Sequence, residues 1–173
     1  MSEDKPWSVP VRIDDVRSDG THVKLSADAA TRDRVARSAG VVELPELVAE
    51  LDLTRRGRHG VAVAGTVSAK VRQTCVVTLE PLESEVRETV ELVFAPPRDD
   101  RSAIDISAAG GDDGPEPLEG GSIDLGAIAI EFLVLGIDPY PRKPGAVFDV
   151  PAGPEPEAHP FAALSALKKS TSS

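Results

Sequence analysis

Cysteine occurs once in this chain, as Cys75, and aromatic residues only six times, as Trp7, Phe94, Phe132, Tyr140, Phe148 and Phe161. A single cysteine excludes an internal disulfide and any metal site built from several thiolates, and such a chain needs no oxidising compartment. With so few aromatics, a core has to be assembled from Val, Leu, Ile and Ala, and the 40% hydrophobic content supplies them. Long apolar runs are missing as well. The longest, near Ile123 to Ile137, is interrupted or bounded by Asp124, Glu131 and Asp138, and it falls short of the ~18 clean residues that span a bilayer. The start, MSEDKPWSVP, is charged and has no apolar stretch, so a secretory signal is not expected and a cytoplasmic protein without membrane contact is.

What is present is charge, unevenly spread. Residues 1–79 hold 12 Lys and Arg against 11 Asp and Glu, whereas residues 80–173 hold 7 against 18. Nearly all of the net charge of −10 therefore belongs to the second half. A protein that holds nucleic acid by neutralising phosphates presents a basic face, so non-specific binding to RNA is disfavoured for the chain as a whole. An acidic surface selects cationic partners instead.

The 173 residues suit one domain. WSVPVRI (7–13) reads as an extended segment with Pro10 at a sheet edge, where a missing N–H does no harm. THVKLSA (21–27) alternates and reads as a strand. Asp28 or Thr31 then caps a short helix with Ala30, Val35 and Ala39 at near-helical spacing, stopped by Gly40. Leu47, Ala49, Leu51 and Leu53 repeat with period two, RRGRHG supplies a hairpin turn, and Val61, Val63, Gly65, Val67, Ala69 and Val71 line one face of the return strand. Thr78 to Pro81 turns the chain into ESEVRETVELVF, completing a three-stranded antiparallel meander. Residues 96–122 carry four prolines, five glycines and nine Asp, Glu or Arg, so they read as a mobile acidic insertion, with SAIDIS as a short strand within it. Ser122 or Asp124 caps an apolar helix that ends at Gly136. A Pro-rich tail, 141–173, closes with Phe161, Leu164 and Leu167 at helical spacing ahead of Lys168 and Lys169, a small docking helix. The expected fold class is α+β: an antiparallel sheet of about five or six strands, its closure into a barrel left open, packed by the apolar helix and the short N-terminal one.

Catalytic and metal chemistry find little support in the pattern. A thiolate nucleophile at Cys75 needs a base, and His22, His59 and His159 lie in separate segments. Zinc needs four ligands where one sulfur is on offer. Cys75 reads as a small core residue at a strand end. Paired carboxylates such as Glu83 with Glu85, or Glu88 with Glu91, occupy solvent-facing strand positions, and no phosphate-binding loop of the GxxxxGK[ST] type occurs. No catalytic residue, metal, cofactor or small-molecule substrate is expected. Arg55, Arg56, Arg58 and His59 crowd one hairpin tip, which makes that tip the candidate contact for RNA or an acidic partner, although charges that keep a turn soluble look the same and no aromatic is interleaved to stack on bases.

VAVAGTVSAKVRQTCVVTLEPLESEVRETVELVFAP, an acidic insertion, IDLGAIAIEFLVLGIDPYPRKPGAVF and a closing HPFAALSALK together resemble the bacterial YceD family, in its alphaproteobacterial branch, over roughly residues 35–169. Many relatives read C-x-x-C-L-x-P where this chain has Cys75, Thr78, Leu79, Glu80 and Pro81, and Asp124 with Leu125 opens the second shared stretch. Thr78 stands in for the second cysteine, so neither a redox pair nor a metal knuckle is essential to this branch. The resemblance implies a non-catalytic factor for 23S rRNA accumulation and large-subunit (50S) ribosome biogenesis. Its expected partner is a basic ribosomal protein or assembly factor of the large subunit, with 23S rRNA precursor touched, if at all, through the Arg55–His59 tip. The competing readings are an acidic interaction module unrelated to ribosomes and a thiol enzyme.

Overall fold

A computed structural model describes residues 5–57, 59–96, 115–118 and 120–148. In chain order the elements are β1 (Pro10–Arg12), a 3-10 turn (Ile13–Asp15), β2 (Thr21–Ser26), α1 (Ala29–Ala39), β3 (Glu43–Arg56), β4 (Gly60–Thr74), β5 (Pro81–Ala95), β6 (Glu116–Pro117), β7 (Ser122–Asp124) and α2 (Leu125–Gly136). The fold is α+β. Five strands form one sheet in the order β2-β3-β4-β5-β6, and β1 pairs with β7 in a separate two-stranded ribbon. Because the sheet begins at β2 and ends at β6, it is open and not a barrel.

Period-two alternation builds this sheet as the sequence leads one to expect. Leu47, Ala49, Leu51 and Leu53 of β3 and Val61, Val63, Val67, Ala69 and Val71 of β4 are all buried, and the same parity carries on through Gln73 to Cys75. β5 enters in the other parity, so Val86 and Val90 face inward opposite Ala69 and Gly65. Each fully buried Val or Leu contributes roughly 1.5–3 kcal/mol. Gly65 interrupts the valine series for a packing reason: a Cβ there would lie 2.1 Å from the Glu50 carbonyl oxygen of the neighbouring strand. The β3–β4 register shifts between Glu43 and Glu46, around Pro45, which has no N–H to give the ladder.

The two helices cover the inner face and leave the outer one to water. Asp28 caps α1 by accepting from the Thr31 amide at 2.7 Å, and Gly40 ends it at φ 69°. The buried stripe of α1 is Thr31, Val35 and Ala36 instead of Ala30, Val35 and Ala39. Thr31 goes inside because both of its polar groups are satisfied there, its amide by Asp28 and its hydroxyl by Arg34 Nη2 at 3.0 Å. α2 packs on β5 and β4 through Leu125, Ile128, Ala129 and Leu133. At its start the chain comes so close to the N-terminal segment that a Cβ on Gly126 would sit 2.8 Å from the Trp7 carbonyl oxygen, and Trp7 itself is buried.

The acidic insertion expected over 96–122 is ordered at its C-terminal end. Glu116–Pro117 pairs in parallel with Phe94 and Ala95, and Leu118 is buried. β7 follows, pairing Asp124 with Pro10 and confirming that Pro10 belongs to an edge. The SAIDIS strand and the terminal docking helix fall outside the described residues.

Candidate functional site

Three places carry the residues singled out above: the β3–β4 hairpin tip, the β4–β5 turn and the start of α2. At the hairpin tip, Arg56 pairs with Gly60 and Gly57 takes φ 66°, so the turn is tight. Arg55 is half-buried and points back into the molecule, where Nε donates to the Val16 carbonyl at 2.6 Å and Nη2 to the Asp14 carbonyl at 2.9 Å. It braces the hairpin against the 3-10 turn. That geometry engages two of the five guanidinium donors with carbonyls, so Arg55 is braced where Arg56 is not. Arg56 and His59 are exposed, and Arg58 lies outside the described residues. His59 borders a hollow of about 280 Å³ together with Arg12, Asp14, Leu118 and Gly121. Arg12 thus joins the tip from a distant part of the chain, which the linear pattern had no means of signalling.

The β4–β5 turn is built around the sulfur of Cys75. Its backbone closes through Cys75 N–H to the Glu80 carbonyl at 2.9 Å and Leu79 N–H to the Cys75 carbonyl at 3.0 Å. Segment 138–143 folds over the turn: Val76 N–H donates to the Pro141 carbonyl at 2.9 Å, and Gln73 Nε2 to the Asp138 carbonyl at 2.9 Å. Cys75 is 0% exposed, and its Sγ accepts from the amides of Thr78 and Lys143, each at 3.4 Å. The Thr78 hydroxyl, then the Lys143, Thr78 and Val77 amides, hold the thiol down at about 6. Lost hydration pushes the other way and is outweighed by these hydrogen bonds. Cys75 therefore packs as expected, but in a polar cradle and not an apolar one. Lys143 Nζ also reaches Glu80 at 2.9 Å, and that contact is the main reason the Glu80 carboxyl lies below its ordinary value.

Leu79 is the strained residue of this turn. It is the one non-glycine with positive φ among the described residues, at 58°, and it is 77% exposed. A left-handed Leu costs about 1–2 kcal/mol. Val76 and the 71% exposed Tyr140 flank the same turn and its covering segment. Pro81 opens β5 opposite Thr74.

Asp124 ties three elements together. One carboxylate oxygen accepts from the amides of Val9, Gly126 and Ala127 at 2.8, 3.1 and 3.2 Å, and the other from the Ser8 hydroxyl at 2.8 Å and Lys5 Nζ at 3.2 Å. Burial alone pushes this carboxyl up, but the Val9 amide, the Ser8 hydroxyl, the Ala127 amide and Lys5 together leave it below its ordinary value. A lowered carboxyl stabilises the fold above its unfolded pKa, and that contribution is lost as pH falls through the folded one. Leu125, next in line, is fully buried. Asp124 and Leu125 are thus residues of assembly, locking α2 to β1.

The outer sheet face is charged, open and cross-linked by pairs: Lys24 with Glu50, His22 with Asp52 at 2.8 Å, Lys70 with Glu46 at 3.7 Å, and Arg72 with Glu43 at 2.6 Å and Glu83 at 3.1 Å. His22 sits on that face and His59 at the far end of β4, so neither meets Cys75; His159 lies outside the described residues. Among the described residues no three His, Cys, Asp or Glu converge on a metal site, and no helix is long and apolar enough to cross a membrane.

The chain is thus a small α+β domain, a sheet backed on one side by helices, whose accessible features are its charged face, strand edges and turns. It belongs to the YceD family: the family model described as "Large ribosomal RNA subunit accumulation protein YceD" matches residues 63–168, from β4 into the C-terminal tail. Membership implies involvement in accumulation of the large ribosomal RNA. No curated protein and no solved structure matches the chain.

Proposed function

We propose that this protein is a non-catalytic factor in large-subunit ribosome biogenesis, acting in the cytoplasm by holding a cationic ribosomal protein or assembly factor. The family match carries the ribosomal part of this reading. Electrostatics supports the cationic partner: the net charge is −10, and Glu85, Glu88, Glu91, Glu116 and Glu131 have no ion-pair partner among the described residues. An uncompensated acidic surface attracts basic chains over the ~8 Å Debye length of physiological salt and repels bare RNA. The full burial of the sulfur, which accepts from two backbone amides, supports a packed residue over a nucleophile. RNA contact falls first to Arg56, Arg58 and His59 with Arg12, and less to Arg55, two of whose donors already hold carbonyls.

Sedimentation of a cell extract through a sucrose gradient tests the reading. The protein is expected to travel with large-subunit precursors at low salt and to leave them as salt is raised. Recovery only at the top of the gradient under all conditions would leave an acidic interaction module unrelated to ribosomes.

A further inference from the structure

The sheet has one long edge that the described residues leave almost bare. β5 runs from Pro81 to Ala95 and pairs with β4 along its whole length, but on its other side β6 meets it only at Phe94 and Ala95. Between Leu82 and Val93, no backbone hydrogen bond to another described segment occupies that side. An open edge of this length is a template for a further strand, and natural sheets otherwise blunt such edges with bulges, prolines, charge or a covering element. β5 has no bulge in its register with β4, and its proline stands at the first position.

The surroundings of this edge say what kind of strand it suits. Glu85 and Glu91 flank it on the outer face together with Arg87, and Lys70 of β4 stands opposite Glu85. Glu88, expected on a solvent-facing position, takes the inner-face parity of Val86 and Val90 instead, and Glu116 of β6 and Glu131 of α2 stand where β5 nears β6. None of the five carboxylates has an ion-pair partner among the described residues. Where β5 nears β6, a hollow of about 230 Å³ opens between the strand and α2, with Leu92, Phe94, Ala127 and Ile128 as its apolar walls and Glu116 and Glu131 also lining it. Such a hollow suits an apolar side chain, or the stem of a Lys or Arg whose head reaches a carboxylate.

We infer that the β5 edge between Leu82 and Val93 is a docking site for an extended, basic polypeptide segment, which adds to the sheet as a sixth strand. Backbone hydrogen bonds hold the segment in register, its cations answer Glu85 and Glu91, and one inward side chain enters the Leu92–Ile128 hollow. This rests on the cationic-partner reading above and gives that partner a conformation.

The test uses the full chain and a ten-residue peptide alternating Lys and Val, with the same peptide N-methylated at its Val residues as control. Amide hydrogen exchange of β5, followed by NMR, is expected to slow tenfold or more at alternate residues between Leu82 and Val93 when the plain peptide is added. The N-methylated peptide, equal in charge but short of backbone donors, is expected to bind at least tenfold more weakly, and Glu85→Lys with Glu91→Lys to lose the plain peptide. Equal binding of both peptides without edge protection overturns strand addition while leaving a cationic partner in place. Binding of neither removes both readings. Edge amides already protected in the free chain also overturn the inference, because another stretch of the same chain then occupies the edge.

Discussion

The two turns that bound β4 lie about 46 Å apart at ~3.3 Å per residue, and they use their polar groups in opposite ways. The hairpin tip is dense in charge, yet its most embedded cation, Arg55, faces the Val16 and Asp14 carbonyls. The Cys75 turn looks bland as CVVTLEP, yet amides, a hydroxyl and a second chain segment converge there on one buried sulfur. Density of charge in a sequence therefore marks what is exposed or braced, whereas convergence depends on segments far apart in the chain. Lys143 is the clearest instance, lying 68 positions from Cys75.

Substitutions that exchange these roles sharpen the contrast. The largest effect is expected for Arg55→Ala, which strips two charge-assisted bonds from carbonyls and lowers stability by about 2 kcal/mol, or ~4–8 °C in Tm. Arg55→Lys should not restore it, since an ammonium cannot copy the forked reach. A thermal melt of the three proteins decides; an unchanged Arg55→Ala would make Arg55 as free for RNA as Arg56. Next comes Cys75→Ser. A thiol lowered from 9.0 to about 6 in the fold favours folding fully above pH 9, and this advantage fades as pH falls from 9 to 6. The Tm gap between wild type and Cys75→Ser should therefore widen from pH 6 to pH 9, and a constant gap would mean that the sulfur is merely packed.

Leu79→Gly should raise stability by up to ~1 kcal/mol through release of the left-handed Leu. Should the same change weaken association with large-subunit precursors, the exposed Leu79 side chain belongs to the contact surface. Smallest of all is Arg56→Ala, within ~0.5 kcal/mol in denaturant melts. Its effect, if any, belongs to binding, in contrast to Arg55.

Much of the fold was legible because alternation leaves little freedom: once Val61 faces in, Cys75 does too, fourteen residues on. Side-chain chemistry narrowed each helix cap to two candidates, Asp28 or Thr31 and Ser122 or Asp124, and the fold selects Asp28 and Asp124. The β1–β7 ribbon and the parallel β6 were not, since strands of 3, 3 and 2 residues carry no period. At the site, Leu79, Glu80 and Pro81 were found by their resemblance to a motif, but Leu79's left-handed backbone, Glu80's ion pair and the cradle beneath them required the fold. The β5 edge, bare among the described residues, is a property of how segments pair, and single-chain periodicity cannot express it.

The central claim is that this chain supports large-subunit rRNA by binding and not by chemistry at its only thiol. The most direct measurement is the ratio of 23S to 16S rRNA in cells lacking the chain, then resupplied with wild type or Cys75→Ser at matched protein levels. The account predicts a ratio that falls without the protein and recovers with either form. A ratio that never falls, or one that only the thiol-bearing form restores, contradicts it.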